Sequence, residues 1–193
     1  MLREIFSESF RNRTIAEVAL ERANEEPDQE IIFHEDEAAI TIASIVEEAK
    51  RLADSLRRLG LIAGDVISFQ LPSWREAISI DLAASMLGLV VNPIIPIYRE
   101  KELKFILHDA NTRLIFIPER FRSIDYPEMI ATIQPSLPKL EHIIVVRGDK
   151  NSGQLTYEEL IRSSDGNGPL AGVKADDLKV LMYTSGTTGI PKA

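Results

Sequence analysis

The sequence predicts a doubly wound α/β fold, a mainly parallel sheet with helices on both faces, and three observations predict it. Short apolar runs alternate with segments of helical spacing from residue 42 to residue 183. Leu114-Ile-Phe-Ile117 and Ile143-Ile-Val-Val146 are continuously apolar, as strands covered on both faces should be. At 193 residues and 45% hydrophobic, the chain can bury a full core, and strands joined by helical crossovers pair in parallel.

Thr14 followed three residues later by Glu17 is a capping-box pattern, and Ile15, Val18, Ala19 and Ala23 then recur at helical spacing up to Pro27. Glu30–His34 and Ala38–Ile42 suit a small hairpin across the acidic turn Glu35-Asp-Glu37. Ile45, Val46, Ala49, Leu52, Ala53, Leu56 and Leu59 share one helical face, and Gly60 stands where a left-handed C-cap is wanted.

The alternation then runs as follows. A strand at Val66–Leu71 precedes a helix opened by a Ser73–Glu76 capping box, and a strand at Leu89–Ile94 precedes a helix at Arg99–Asp109. A strand at Arg113–Ile117 leads to a helix at Tyr126–Gln134, and a strand at His142–Val146 to a short helix at Tyr157–Ile161. The last strand is Lys179–Tyr183. Gly148–Gly153 and Ser163–Pro169 read as surface loops.

With 22 basic against 30 acidic residues spread along the chain, nucleic-acid binding through clustered Lys and Arg is not expected. The absence of cysteine removes disulfides, thiolate metal sites and a cysteine nucleophile. The first ten residues lack the apolar core of a signal peptide, and no run is long enough to span a bilayer; the expectation is a soluble, cytoplasmic protein. His34, His108 and His142 lack ligand spacing, so no metal site is expected, and Trp74, Glu76 and Glu35-Asp-Glu37 are read as structural.

Chemistry concentrates at Thr184-Ser-Gly-Thr-Thr-Gly189, two glycines and four hydroxyl residues directly after a strand. Glycines allow consecutive N–H groups to converge into an anion-binding nest, and the hydroxyls add short donors. Lys192 supplies a mobile positive charge, and the carboxyl end of a strand is where open α/β sheets bind ligands. Ile190 and Pro191 separate Gly189 from Lys192, which excludes a Walker loop, and the glycine spacing of a dinucleotide fold is absent. On composition alone the cluster reads equally well as a flexible surface linker.

Tyr183-Thr-Ser-Gly-Thr-Thr-Gly-Ile-Pro-Lys192 closely resembles the signature loop of the adenylate-forming superfamily of acyl- and aryl-CoA synthetases, peptide-synthetase adenylation domains and beetle luciferases. The resemblance extends upstream through the helix Ile40–Gly60, the strand Gly64–Pro72 and the stretch from Trp74 through Gly88 to Pro93. Ile42 stands where an aromatic is common, and Ser73 where an Asn often follows the strand's proline. Asn92-Pro-Ile-Ile-Pro-Ile-Tyr-Arg99 and the residues on to His108 look most like ligases of aliphatic or alicyclic acids, such as medium-chain or cyclohexanecarboxylate ligases.

The resemblance implies an N-terminal part of an AMP-forming acid:CoA ligase: residues 1–41 peripheral, 42–183 an α/β core, and 184–193 a phosphate loop. It implies attack of a carboxylate on the ATP α-phosphate, release of pyrophosphate, and transfer of the acyl group from its adenylate to CoA. ATP, Mg²⁺ and CoA are the cofactors and co-substrates this implies, and a small carboxylic acid is the substrate. Thr184, Ser185, Gly186, Thr187, Thr188, Gly189 and Lys192 would hold the β- and γ-phosphates, while the catalytic residues would lie beyond Ala193. The chain alone is therefore expected to be inactive, to carry a mobile loop, and to self-associate through exposed apolar surface. An adenylation domain loading a carrier protein, and a noncatalytic nucleotide-binding module, are the alternatives.

Overall fold

The capping box read at the start of the chain forms. In the computed structural model, which describes residues 12–34, 37–149 and 153–184, the Glu17 amide donates to Thr14 Oγ1 at 3.1 Å and the Thr14 amide to Glu17 Oε2 at 2.7 Å. Helix α1 (Ile15–Glu25) follows, and Ala16 and Ala19 carry its buried stripe. The hairpin is β1 (Glu30–His34) and β2 (Glu37–Thr41), antiparallel; its turn residues Glu35 and Asp36 lie outside the described residues.

Helix α2 (Ile42–Arg58) buries the face that its spacing marks, and Gly60 ends it at φ 86°. The Gly60 amide donates to Arg57 O and the Leu61 amide to Leu56 O, so two orphan carbonyls of the last turn are satisfied and Leu61 folds back over Leu56.

The remaining elements are β3 (Val66–Phe69), α3 (Glu76–Leu87), β4 (Val90–Pro93), α4 (Glu100–Asp109) and β5 (Leu114–Pro118). A two-residue hairpin follows, β6 (Arg120–Phe121) and β7 (Ile124–Asp125), then α5 (Tyr126–Ile133) and a 3₁₀ turn (Gln134–Ser136). β8 (His142–Val146), β9 (Leu155–Thr156) and α6 (Tyr157–Arg162) complete the set. The sheet order is β4-β3-β5-β8-β9, every pair parallel. All five residues of β5 are buried. Leu114 and Phe116 join the core under α1, α2, α3 and α6, whereas Ile115 and Ile117 join the core under α4 and α5. Continuous apolar strands thus mean two cores, one on each face.

Two expectations are corrected. The Ser73–Glu76 capping box does not form: Arg75 precedes α3 with no side-chain cap, because the Glu76 carboxylate accepts from Arg147 Nε at 2.8 Å instead. Lys179–Tyr183 is not a full strand. A single bridge joins Val180 to Val91, made by the Val91 amide to Lys179 O and the Leu181 amide to Val91 O. The next rung would need the N–H of residue 93, which is Pro93, so the ladder stops there. Residues 163–169 form the surface loop expected, with Ser164 buried beneath it, and the loop packs on α2 so closely that a Cβ on Gly168 would stand 2.3 Å from Asp54 Oδ1.

Asp54 is the reason for that packing. Buried on α2, it accepts from Ser164 Oγ at 2.7 Å, Arg57 at 2.7 Å and Arg58 at 2.6 Å, and the Ser164 bond, ahead of the arginines, holds its carboxyl below the usual range. A depressed folded-state pKa gives stability that is present above the unfolded value, about 3.9, and lost as pH falls through the folded value. Asp54→Asn is expected to cost about 1–2 kcal/mol at pH 7, since both arginines are half-exposed and screened. Urea unfolding at pH 7 and at about pH 3 should show that difference shrinking with acid; an equal cost at both pH values refutes the role of its charge.

Candidate functional site

In a parallel sheet the loops that follow the strands gather along one rim, where ligands bind, above all where the strand order reverses. Here the chain passes from β3 to its neighbour β4 and then crosses back to β5 on the other side of β3, which puts the reversal between β3 and β5. A cleft of about 480 Å³ opens there, lined by Phe69 at the end of β3 with Leu71 and Ser73 after it, Pro96, Ile97 and Arg99 after β4, and Phe121, Arg122 and Ile124 after β5.

The wall 95–98 is held through its carbonyls. Gln70 Nε2 donates to Ile95 O at 3.1 Å and Tyr98 O at 3.0 Å, Tyr126 OH to Pro96 O at 3.0 Å, and Arg99 Nη1 to Pro96 O and Tyr98 O, both at 2.9 Å. Burial pushes the Tyr126 phenol above its usual range, so it remains a donor. Gln70 Oε1 is buried with no partner, so the side chain is held by its donor end alone.

Arginines gather on this rim of an otherwise acidic chain, whose formal charge is -8. Arg122, at φ 55°, stands with its guanidinium 5.4 Å from the centre of the Phe121 ring. Arg147, at φ 55°, lies 4.6 Å over Trp74 while pairing with Glu76. Trp74 meets Phe121 edge-on at 6.5 Å, so the aromatic after β3 and the hairpin after β5 brace each other. A cavity of about 210 Å³ lies at the amino ends of the strands, beside Gly88, Leu89 and Lys179, away from the rim.

The segment with the Ser/Thr/Gly cluster leaves the sheet at its β4 edge. Because Val180 runs parallel to Val91, the chain beyond Leu181 heads toward the carboxyl-end rim. Tyr183 is buried and Thr184 is the last described residue; Ser185, Gly186, Thr187, Thr188, Gly189 and Lys192 lie outside the described residues, as does the expectation of a mobile loop. The stem is thus described, while the groups expected to touch phosphate are not. His108 is exposed and His142 half-buried, and among the described residues no three His, Asp or Glu groups are placed to hold a metal ion. No helix among them is long and apolar enough to cross a membrane.

The cleft wall was missed in the sequence, although Gln70 carried a signal: it is the one polar residue between Phe69 and Leu71 in a run otherwise ready for burial. Arg99 and Arg122 carried none, since arginines in loops are common.

Comparison with known proteins fits this geometry. The family described as AMP-binding enzyme matches residues 20–193, and the chain belongs to that family of adenylate-forming enzymes. It is 30% identical over 182 residues to the medium-chain fatty-acid–CoA ligase of Escherichia coli K12, covering 93% of this chain and 32% of that one. It is 31% identical over 183 residues to the sulfoacetate–CoA ligase of Cupriavidus necator, covering 93% and 34%. The fold matches the solved anthranilate CoA ligase AuaEII, in complex with anthranoyl-AMP, at a TM-score of 0.85 and 23% identity, over 94% of this chain and 34% of that one. The chain spans about a third of the length of the curated relatives it matches.

Gln70→Leu is expected to leave the Ile95 and Tyr98 carbonyls short of a donor and to cost about 1–3 kcal/mol. Thermal unfolding of Gln70→Leu beside Gln70→Glu checks it; unchanged midpoints for both contradict a wall held by this amide.

Proposed function

We propose that this chain is the N-terminal part of an ATP-dependent, AMP-forming acid:CoA ligase, a cytoplasmic enzyme that activates a small carboxylic acid and passes the acyl group to CoA. In this reading residues 1–41 are peripheral, 42–183 form the α/β core, and 184–193 form the phosphate loop. The observation that carries the proposal is the parallel bridge of Val180 to Val91, which gives the stem Lys179–Tyr183 the direction of β4, toward the ligand-binding end of the sheet. The naming of the relatives above as CoA ligases supports the activity.

Transfer at a phosphate needs orientation and neutralisation more than a covalent nucleophile. Gly186 and Gly189 let successive N–H groups turn toward the β- and γ-phosphates, Thr184, Ser185, Thr187 and Thr188 donate hydroxyls, and Lys192 brings a positive charge that can follow the departing pyrophosphate. Mg²⁺ would add charge neutralisation, with its acidic ligand and the catalytic residues lying beyond Ala193 in the parent. The cleft between β3 and β5 suits the nucleotide end of CoA. Phe69 and Phe121 offer flat apolar faces for a base and Ile97 a further apolar wall, and Arg99 and Arg122 line the same cleft with charges that suit phosphates.

Leu178, Val180 and Met182 stand exposed in a row on the open edge of the sheet, and the chain alone is proposed to self-associate through them, visible as concentration-dependent sedimentation. The function is tested by pyrophosphate release with a panel of acids, on the full-length gene product and on this chain, with CoA thiol consumption followed in parallel. Acid-dependent release and thiol loss are expected from the full-length protein, and background from the chain. Turnover by the chain overturns its inactivity, release without thiol loss indicates a carrier protein as acceptor, and ATP binding by the chain with no turnover in the parent indicates a binding module. Arg122→Glu should raise KM for CoA about tenfold and leave KM for ATP within twofold; equal shifts in both argue against the cleft.

A further inference from the structure

Arg122 and Arg147 both hold left-handed backbone, each at φ 55°, a region that the Cβ makes costly outside glycine. Phe121 pairs with Ile124 across the β6-β7 hairpin, so Arg122 is the first residue of a two-residue turn, where glycine is favoured. Residues that break a local rule need a tertiary reason. Each of these arginines finds an aromatic ring, Arg122 over Phe121 and Arg147 over Trp74, and the two rings meet edge-on.

This chain of contacts runs across the rim. β5 separates β8 from β3, yet Arg147, directly after β8, reaches the loop after β3. Gly148 allows it by pressing on the residue that follows β5: a Cβ there would stand 2.2 Å from Glu119 Cβ. Glu76, buried at the start of α3, anchors the far end. Its Oε1 accepts from Arg147 Nε at 2.8 Å, and its Oε2 is buried without a partner. Trp74 packs against the core under α1, α2, α3 and α6, and Phe121 against the core under α4 and α5. Their contact therefore joins the two layers over the carboxyl edge of the sheet. Phe121 and Arg122 line the cleft between β3 and β5, while Trp74 and Arg147 stand behind that wall.

Resting on the reading of this cleft as the CoA site, we infer that Arg147 is a positioning residue for CoA. Acting through Trp74 and Phe121, it sets where the Arg122 guanidinium stands, and thereby the affinity for the nucleotide end of CoA. A hairpin of two-residue strands is marginal by itself, so the β6-β7 turn takes its place from what its ring touches, and the strap from β8 supplies that contact.

The test uses Arg147→Met, Arg147→Lys and Trp74→Leu in the full-length gene product, alone and combined with Arg122→Ala. KM for CoA, for ATP and for the acid is read for each, with the melting temperature. Arg147→Met and Trp74→Leu are each expected to raise KM for CoA about fivefold, with KM for ATP and for the acid within about twofold. Arg147→Lys keeps a charge for the ring and for Glu76 and should recover part of that loss. In the Arg122→Ala background the same changes should add less than about twofold, because the effect passes through Arg122. A fall in melting temperature with KM for CoA unmoved, or with all three KM values moved together, would mean a merely structural contact and overturns the inference. So does an effect that persists in full without Arg122. Where Arg147→Met does not fold, Trp74→Leu, which leaves the Glu76 pair in place, carries the test. Where the full-length protein consumes no CoA, the proposed function fails separately, and hydrogen exchange of residues 120–125 decides the strap. Exchange should be severalfold faster in Trp74→Leu than in the unsubstituted protein; equal rates refute it.

Discussion

Burial of β5 on both faces is the constraint from which the rest of this structure follows. Leu114, Ile115, Phe116 and Ile117 are fully excluded from water, and a central strand with no solvated face needs a helix layer on each side. At about 25 cal/mol per Å² of apolar surface removed from water, those layers are where the fold gains most. Helices on both faces require crossover connections, crossovers make the strands parallel, and parallel strands deliver all their following loops to one rim. The order β4-β3-β5 then places a cleft where the connections part.

The edge of the sheet is governed by a smaller constraint, a missing proton. Pro93 lets β4 pair once with the Lys179–Leu181 stretch and forbids the following rung. Two residues further on, the Tyr183 hydroxyl donates to Asp109 at the end of α4 and ties this stretch to the helix layer by a side chain. The Gln70, Tyr126 and Arg99 bonds to the 95–98 carbonyls act in the same manner on the cleft wall. At both places irregular backbone is held by side chains in or next to the ends of regular elements, which keeps a rim aligned without making it part of the ladder.

Much of the fold was legible because it rests on periodicity and local caps. The faces of α2, the Thr14–Glu17 box, the terminating Gly60 and the doubly covered β5 and β8 are all written within short windows of sequence. Failures came where a distant partner outbids a local one. Glu76 has the spacing of a capping residue, but Arg147, seventy-one residues away, takes its carboxylate. Glu48 looks like one more solvated helix charge, yet it accepts from Arg75, Ser79 and Tyr157 and ties α2 to α3 and α6. The two-residue β6 and β7 are too short to carry a period. Thr156 and Glu159 do form a capping box that the sequence displays. Of the candidate site, the residue types of the loop suggest an anion-binding role, while the cleft depends on which strands the topology makes neighbours.

The central claim is that this rim presents residues 184–192 to a polyphosphate, and a crystal structure of the full-length gene product with ATP tests it most directly. The expected result has the β- and γ-phosphates within hydrogen-bond reach of the Ser185–Gly189 amides and of Lys192. Phosphates seated elsewhere, with these residues turned away from the nucleotide, would contradict it.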